Sequence, residues 1–259
     1  TKFPAKYQKA LYICDWTFGT MYAIHLTPSG STYTATKEEF VSRTPLPLTD
    51  CTVGKDGALY FTIGGRGAQS ELFRVTYVGQ EDTKPVDAKN TKDSYDATQR
   101  KLRHEIEAYH VGEHEPSKAA EFLLDALDHP DRHIRYAARV ALERLPLESW
   151  QDKIFDMAKE IAPLANIANK KREQGKQQQK IIAGCVGLAR QGGPELLPKI
   201  LNALNLDYVL EWDDLDEPRG VVQYGGIEFQ NHLDLLRAYQ LAFIRLGNPD
   251  DKTSAALAT

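Results

Sequence analysis

The chain is short of cysteine, methionine, long apolar runs and surplus charge of either sign, and each shortage closes off a class of protein. Among 259 residues there are three cysteines, Cys14, Cys51 and Cys185, and two methionines. Three widely spaced thiols make neither a C-x-x-C metal pair, nor a C-x-x-C-H haem attachment site, nor a disulfide-dense scaffold. Their ordinary use is as small buried apolar side chains. Cys14 and Cys51 could meet across a sheet in an oxidising compartment, and the sequence leaves open whether they are bridged. No stretch nears the roughly 18 apolar residues that span a bilayer, and Thr1-Lys2-Phe3-Pro4 holds no signal-peptide core. Lys plus Arg number 32 against 36 for Asp plus Glu, a net charge of -4. That balance supplies no basic field for a nucleic-acid backbone or an anionic lipid surface. Neither nucleic acid nor a membrane span is expected.

What is present is ordinary globular composition, 42% apolar and 26% charged, long enough for one large domain or two of common size. Aromatic residues divide it. Twelve of the 24 lie in the first 80 positions, together with Thr, Val and Ile, which is strand composition. Strands are expected over Leu11 to Trp16, Thr20 to Leu26, Ser31 to Glu38, Ala58 to Ile63 and Glu71 to Val78. Turns at Pro28-Ser29-Gly30 and Lys55-Asp56-Gly57 make them consecutive and antiparallel. In the last strand Phe73, Val75 and Tyr77 alternate with Leu72, Arg74, Thr76 and Val78, so one face is apolar. From Gln80 to Tyr95 the sequence is polar, contains Pro85 and has no periodicity, as a linker does.

Beyond it the period becomes helical. Helices are expected over Thr98 to His110, Ser117 to Leu127 and Asp131 to Leu145, with Pro116 at a first-turn position where its missing amide hydrogen costs nothing. Ile134, Ala138, Ala141, Leu142 and Leu145 form one buried stripe, with Arg132, Arg135, Arg139 and Arg144 on the periphery. Later stripes are Ile181, Gly184, Cys185, Leu188 and Leu236, Tyr239, Phe243, Leu246. Gly192-Gly193-Pro194 and Gly247-Asn248-Pro249 read as left-handed helix stops followed by proline. Leu142, Leu188 and Leu241 recur at a loose period of roughly 50 residues, which describes an imperfect helical solenoid.

Asp131 to Leu142, with Ile134-Arg135, Ala137-Ala138 and Ala141-Leu142, resembles the second helix of HEAT-like repeats. Asp56-Gly57-Ala58-Leu59-Tyr60-Phe61-Thr62, then Gly64-Gly65 and Leu72-Phe73-Arg74-Val75, is similar to the D-G-x-L-Y blade of quinoprotein sugar dehydrogenases. Leu11 to Trp16 before Gly19 to Ile24 looks like the preceding blade. Blades followed by HEAT-like helices resemble large exported bacterial proteins of the sorbosone-dehydrogenase-like or membrane-bound-dehydrogenase-like type, many of which end in a c-type cytochrome domain. The resemblance implies an exported or periplasmic protein with pyrroloquinoline quinone or c-type haem elsewhere in the full-length chain. About two blades are present where a propeller needs at least ~4, so this sequence is expected to be a piece of a longer one.

Candidate chemistry is sparse. Gly64-Gly65-Arg66-Gly67 lies between two expected strands, where glycines admit a ligand to the backbone and Arg66 could pair with a carboxylate, as on a quinone tricarboxylate. The plainer alternative is an interstrand turn with a solvated arginine. Asp15 and Trp16 could line the same mouth, although packing between blades suits Trp16 equally. His104, His110, His114 and Glu113 are interrupted by Gly112 and Pro116, so helix-end roles are expected in place of a metal site. His129 and His133 straddle Pro130 and should lie at the surface. His25 shows no acidic or nucleophilic neighbour in sequence. The basic run Asn169 to Lys180 reads as a solvated connecting loop. Asp207, Glu211, Asp213, Asp214, Asp216 and Glu217 lack calcium-loop spacing and read as a solvated insertion pinned by Trp212.

The expected architecture is therefore α+β: an N-terminal antiparallel β unit of about two β-propeller blades over 1–80, a linker over 81–97, and an α-solenoid of HEAT-like helix pairs over 98–259. The expected role is binding or scaffolding, with a protein partner or neighbouring domain on the solenoid. The competing expectation is part of a quinone-dependent sugar dehydrogenase whose catalytic blades lie upstream.

Overall fold

Strands form where the aromatic and β-branched residues concentrate. The computed structural model describes residues 1–86, 94–161, 171–204, 227–251 and 254–255. It is mixed α+β, with two three-stranded antiparallel sheets followed by several helices, and it divides into two units, Thr1–Arg100 and Lys101–Thr259. After a short helix α1 (Ala5–Gln8), β1 (Leu11–Asp15), β2 (Thr20–Ser29) and β3 (Thr32–Ser42) form the first sheet. The second sheet contains β4 (Leu48–Val53), β5 (Leu59–Gly65) and β6 (Ala68–Val75), again in chain order.

β4 was not legible in the sequence. Leu48 to Val53 sits between Pro47 and Gly54 with weak alternation, and its pairing with β5, from Leu48 opposite Ile63 to Val53 opposite Leu59, makes it a strand. The β2–β3 hairpin turns over Gly30 and Ser31, because Ser29 pairs with Thr32. Pro28 belongs to β2, not to the turn, and the positive φ of 58° falls on Gly30. A bulge opposite Met21 and Tyr22 leaves Phe40 as the extra residue of β3. Bulges re-aim side chains, and Phe40 packs edge-on against Phe3, Tyr7 and Tyr12. The core of this unit is Phe3, Met21, Leu46, Leu48, Leu59, Phe61 and Ile63. Phe73, Val75 and Tyr77 pack onto it, while Leu72 is 69% exposed, as the alternation requires.

The helices are α2 (Tyr95–Glu107), α3 (Pro116–Asp125), α4 (Arg132–Leu142), α5 (Gln151–Ile161), α6 (Lys171–Gln191), α7 (Leu197–Leu204) and α8 (Ile227–Leu246). Pro116 opens α3, and the Glu115 carboxylate accepts from the amides of Ser117 and Lys118 at 3.1 and 3.0 Å. Asp131 caps α4 by accepting from the His133 amide at 2.8 Å. Ile134, Ala138, Ala141, Leu142 and Leu145 are buried together. Arg132 and Arg144 are exposed, but Arg135 and Arg139 are half-buried. The guanidinium of Arg139 pairs with Glu143 one turn on.

Small residues set the spacing between neighbouring helices. A Cβ on Gly184 of α6 would run into Ile154 of α5, and one on Gly187 would stand 3.1 Å from Cη2 of Trp150. Ile181, Cys185 and Leu188 share this buried face.

Three expectations are corrected here. The inward stripe of α8 is Leu235, Ala238, Ala242 and Leu246, with Leu236 66% exposed. The alanines allow close approach, so the stripe turns toward them and Tyr239 and Phe243 become flanking residues. Gly192 is not left-handed. A Cβ there would strike Leu196, and Gly193 is extended at φ -102°; Gly247 alone of these stops has positive φ, at 112°. Finally, the basic run is helical from Lys171 onward, since Lys, Arg, Glu and Gln favour helix. Asn169 and Lys170 lie outside the described residues, as do Asp207, Glu211, Trp212, Asp213, Asp214, Asp216 and Glu217. Among the described residues no helix is long and apolar enough to cross a membrane.

Candidate functional site

The β5–β6 turn is built from four consecutive residues with positive φ. They are Gly64 at 153°, Gly65 at 96°, Arg66 at 51° and Gly67 at 81°. Gly65 pairs with Ala68, so Arg66 and Gly67 are the two turn residues, and a tight hairpin of this kind needs positive φ at both. Glycine supplies that without strain. Arginine does so at a cost of roughly 1–2 kcal/mol, and Arg66 is the one non-glycine with positive φ among the described residues. A Cβ on Gly64 would stand 2.7 Å from Oγ of Ser70, which would have to turn away.

Trp16 reaches this turn from the end of β1. Its indole Nε1 donates to the Gly64 carbonyl at 3.0 Å, and the Arg66 guanidinium lies 5.0 Å from its ring centre. Trp16, Gly64 and Arg66 are thus brought together, with Gly65 beside the indole. Asp15 is used differently. Its Oδ1 accepts from the amides of Thr17 and Phe18, both at 3.0 Å, and holds the β1–β2 turn.

Alongside lies a shallow, open depression of about 480 Å³, lined by Thr49, Thr62, Ile63, Gly64, Gly65, Ser70, Glu71 and Leu72. The Thr49 and Thr62 hydroxyls are 2.8 Å apart. Hydroxyls, one carboxylate and an arginine stacked on an indole can hold a carboxylate or a hydroxyl-rich ligand by hydrogen bonding. They contain no nucleophile with a base beside it.

A second cluster was missed by the sequence. His25 does have an acidic neighbour: its Nε2 lies 2.8 Å from Glu38. The β2–β3 register sets Ala23 opposite Glu38 and His25 opposite Thr36, so Glu38 stands diagonally across the same face. Counting outward from a Gly30-Ser31 turn would have found it. The Tyr7 hydroxyl donates to Glu38 at 2.7 Å and Lys6 Nζ at 3.3 Å. Tyr7 above all, then His25 and Lys6, hold the Glu38 carboxyl down at about 2. Half-buried beside them, the Tyr12 hydroxyl is pushed up to about 12, its burial being the main cause.

A third cluster accounts for the D-G-x-L-Y run. Asp56 accepts from Arg74 Nε and Nη2 at 3.0 and 2.8 Å, from the Tyr60 hydroxyl at 2.9 Å and from the Ala58 amide at 3.1 Å. Arg74, then Tyr60, holds its carboxyl at about 2. This is a turn clamp.

His104, His110, His114 and His129 go to separate partners. His110 Nε2 meets the Ala137 carbonyl at 2.9 Å, His114 meets those of Val111 and Ala108, and His104 pairs with Glu107. His129, half-buried and not at the open surface, accepts from the Asp131 amide at 3.0 Å, and burial lowers its pKa. Among the described residues no three His, Cys, Asp or Glu side chains converge as metal ligands. Compared with family models, curated proteins and solved structures, the chain matches none.

Proposed function

We propose that this chain is a binding and scaffolding segment of a larger exported dehydrogenase-like or haem-associated protein, made of about two propeller-type blades and a run of HEAT-like helix pairs. The observation that carries this reading is the occupation of the β unit's reactive groups by bonds within the chain. Asp15 holds its own turn, Trp16 the Gly64 carbonyl, Glu38 gathers Tyr7, His25 and Lys6, and Asp56 gathers Arg74 and Tyr60. Turnover calls for converging acid, base or nucleophile beside a cofactor. Two successive three-strand meanders with the D-G-x-L-Y clamp in the second support the blade assignment, and the close packing of α5 on α6 supports stacked helix pairs. β3 and β6 are open edges on which neighbouring strands can add.

The second reading, one wall of a quinone-dependent sugar dehydrogenase, is favoured by Arg66 stacked on Trp16 at the turn whose Gly64 and Gly65 line the depression. The two separate in one experiment. The chain is mixed with pyrroloquinoline quinone, sugars and an artificial acceptor dye, and compared with a longer chain carrying the preceding sequence. The scaffolding reading expects quinone retention and dye reduction by neither, whereas retention and reduction by the longer chain only support the second reading. Sugar-dependent dye reduction by this chain alone overturns the scaffolding reading.

A further inference from the structure

Two of the three cysteines sit where two different sheets end. β1 is an edge of the first sheet and β4 an edge of the second, and the two strands lie against each other. In β1 the inward side chains are Tyr12 and Cys14, while Leu11 and Ile13 are exposed. In β4 Cys51 is half-buried between the exposed Asp50 and Thr52. Both cysteines pack on the core formed by Phe3, Met21, Leu48 and Phe61. Cys51 stands near enough to both inward side chains of β1, Tyr12 and Cys14, to act on their ionisation. Cys185 is buried in the helical unit.

We propose that Cys14 and Cys51 are a reversible disulfide site that staples edge strand β1 to edge strand β4. Both are free thiols here. One thiol attacks an external disulfide RSSR, forming a mixed disulfide and releasing RSH. The second thiol then attacks the first cysteine sulfur and expels the second RSH. The pair loses two electrons and two protons, and RSSR is reduced to two thiols. Burial, then the Cys51 thiol and Asp50, raise Cys14 to about 11, so little thiolate exists at neutral pH and exchange quickens as the pH rises.

The test uses the intact chain, reduced and then incubated with oxidised glutathione at mildly alkaline pH. Remaining thiols are blocked with a maleimide in denaturant, and intact mass and peptide maps are read. The expected product is a monomer lighter by two hydrogens, with a Cys14–Cys51 linked peptide and the maleimide on Cys185 alone. Because the link closes a loop of roughly 40 residues, the Tm of the β unit should rise on the order of 10 °C and fall back on reduction. Glutathione adducts without the linked peptide, disulfide-linked dimers, or a linked peptide formed only in denaturant would each overturn the proposal. Cys51→Ser should abolish both the peptide and the Tm shift. Should that variant fail to fold, the mass and peptide readout on the native sequence still decides.

Discussion

The two halves of this molecule are stabilised by different means. The helical unit buries a long series of leucines, isoleucines and alanines, with Trp150 and Ile154 seated against Gly187 and Gly184. The β unit has a much shorter apolar core and adds charged clamps at its surface, Glu38 with Tyr7, His25 and Lys6, and Asp56 with Arg74 and Tyr60. Two small sheets cannot bury enough surface on their own. Polar anchors at turns and cross-strand diagonals therefore fix which strand lies where, while in the helices close packing does this. Core substitutions should dominate in one half, and acid sensitivity in the other.

The largest expected effect tests the helical side. Trp150 is fully buried, and Trp150→Ala should remove about 3–5 kcal/mol of helical-unit stability in urea unfolding followed by far-UV circular dichroism. Gly184→Val, on α6, probes the neighbouring contact with Ile154 of α5. It forces a side chain onto Ile154 and should cost about 1–3 kcal/mol by overpacking. A loss well under 1 kcal/mol for Trp150→Ala would remove the contrast between the halves.

Acid titration tests the β side. Glu38 and Asp56 are held at about 2 in the folded chain, against 4.5 and 3.8 as reference values. A depressed carboxyl stabilises the fold fully above its unfolded value and loses that contribution as pH falls through the folded one. The β unit should therefore hold its Tm down to pH about 5 and lose it progressively between about 4.5 and 2. Glu38→Gln should lower the Tm at neutral pH by a few degrees and flatten that acid slope. An unchanged slope would show that the exposed clamp contributes nothing measurable, as many surface ion pairs do.

How much of this was legible in the sequence followed from the range of the interactions involved. Strands with clear alternation and the Lys55-Asp56-Gly57 turn were readable, as was the Pro116 helix start, because each depends on neighbouring residues alone; the β2–β3 turn was placed too early, since Pro28 continues β2. β4 was not readable, since its strand character comes from β5, and neither was the His25–Glu38 contact, which needs the hairpin register. The face of α8 was misplaced by one residue because hydrophobicity favours Leu236, whereas packing favours Ala238 and Ala242. At the candidate site, glycine spacing pointed to the turn and its neighbours. The stacking of Arg66 on Trp16 and the use of Asp15 within its own turn depend on two strands distant in sequence.

The smallest expected effect is at that turn, and its sign carries the information. Arg66 stands at φ 51° between glycines, so Arg66→Gly relieves left-handed strain while removing the stack on Trp16. Strain of this kind costs roughly 1–2 kcal/mol, and the exposed cation–π contact returns about 0.5–1 kcal/mol. Glycine also makes the unfolded chain freer, which takes back part of the gain. The balance is a stabilisation of at most about 0.5–1 kcal/mol, read from the β-unit transition in urea. Gain of stability together with loss of carboxylate binding would mean that Arg66 is kept in a strained position for the ligand it meets. Loss of stability would instead make the arginine a structural brace for Trp16.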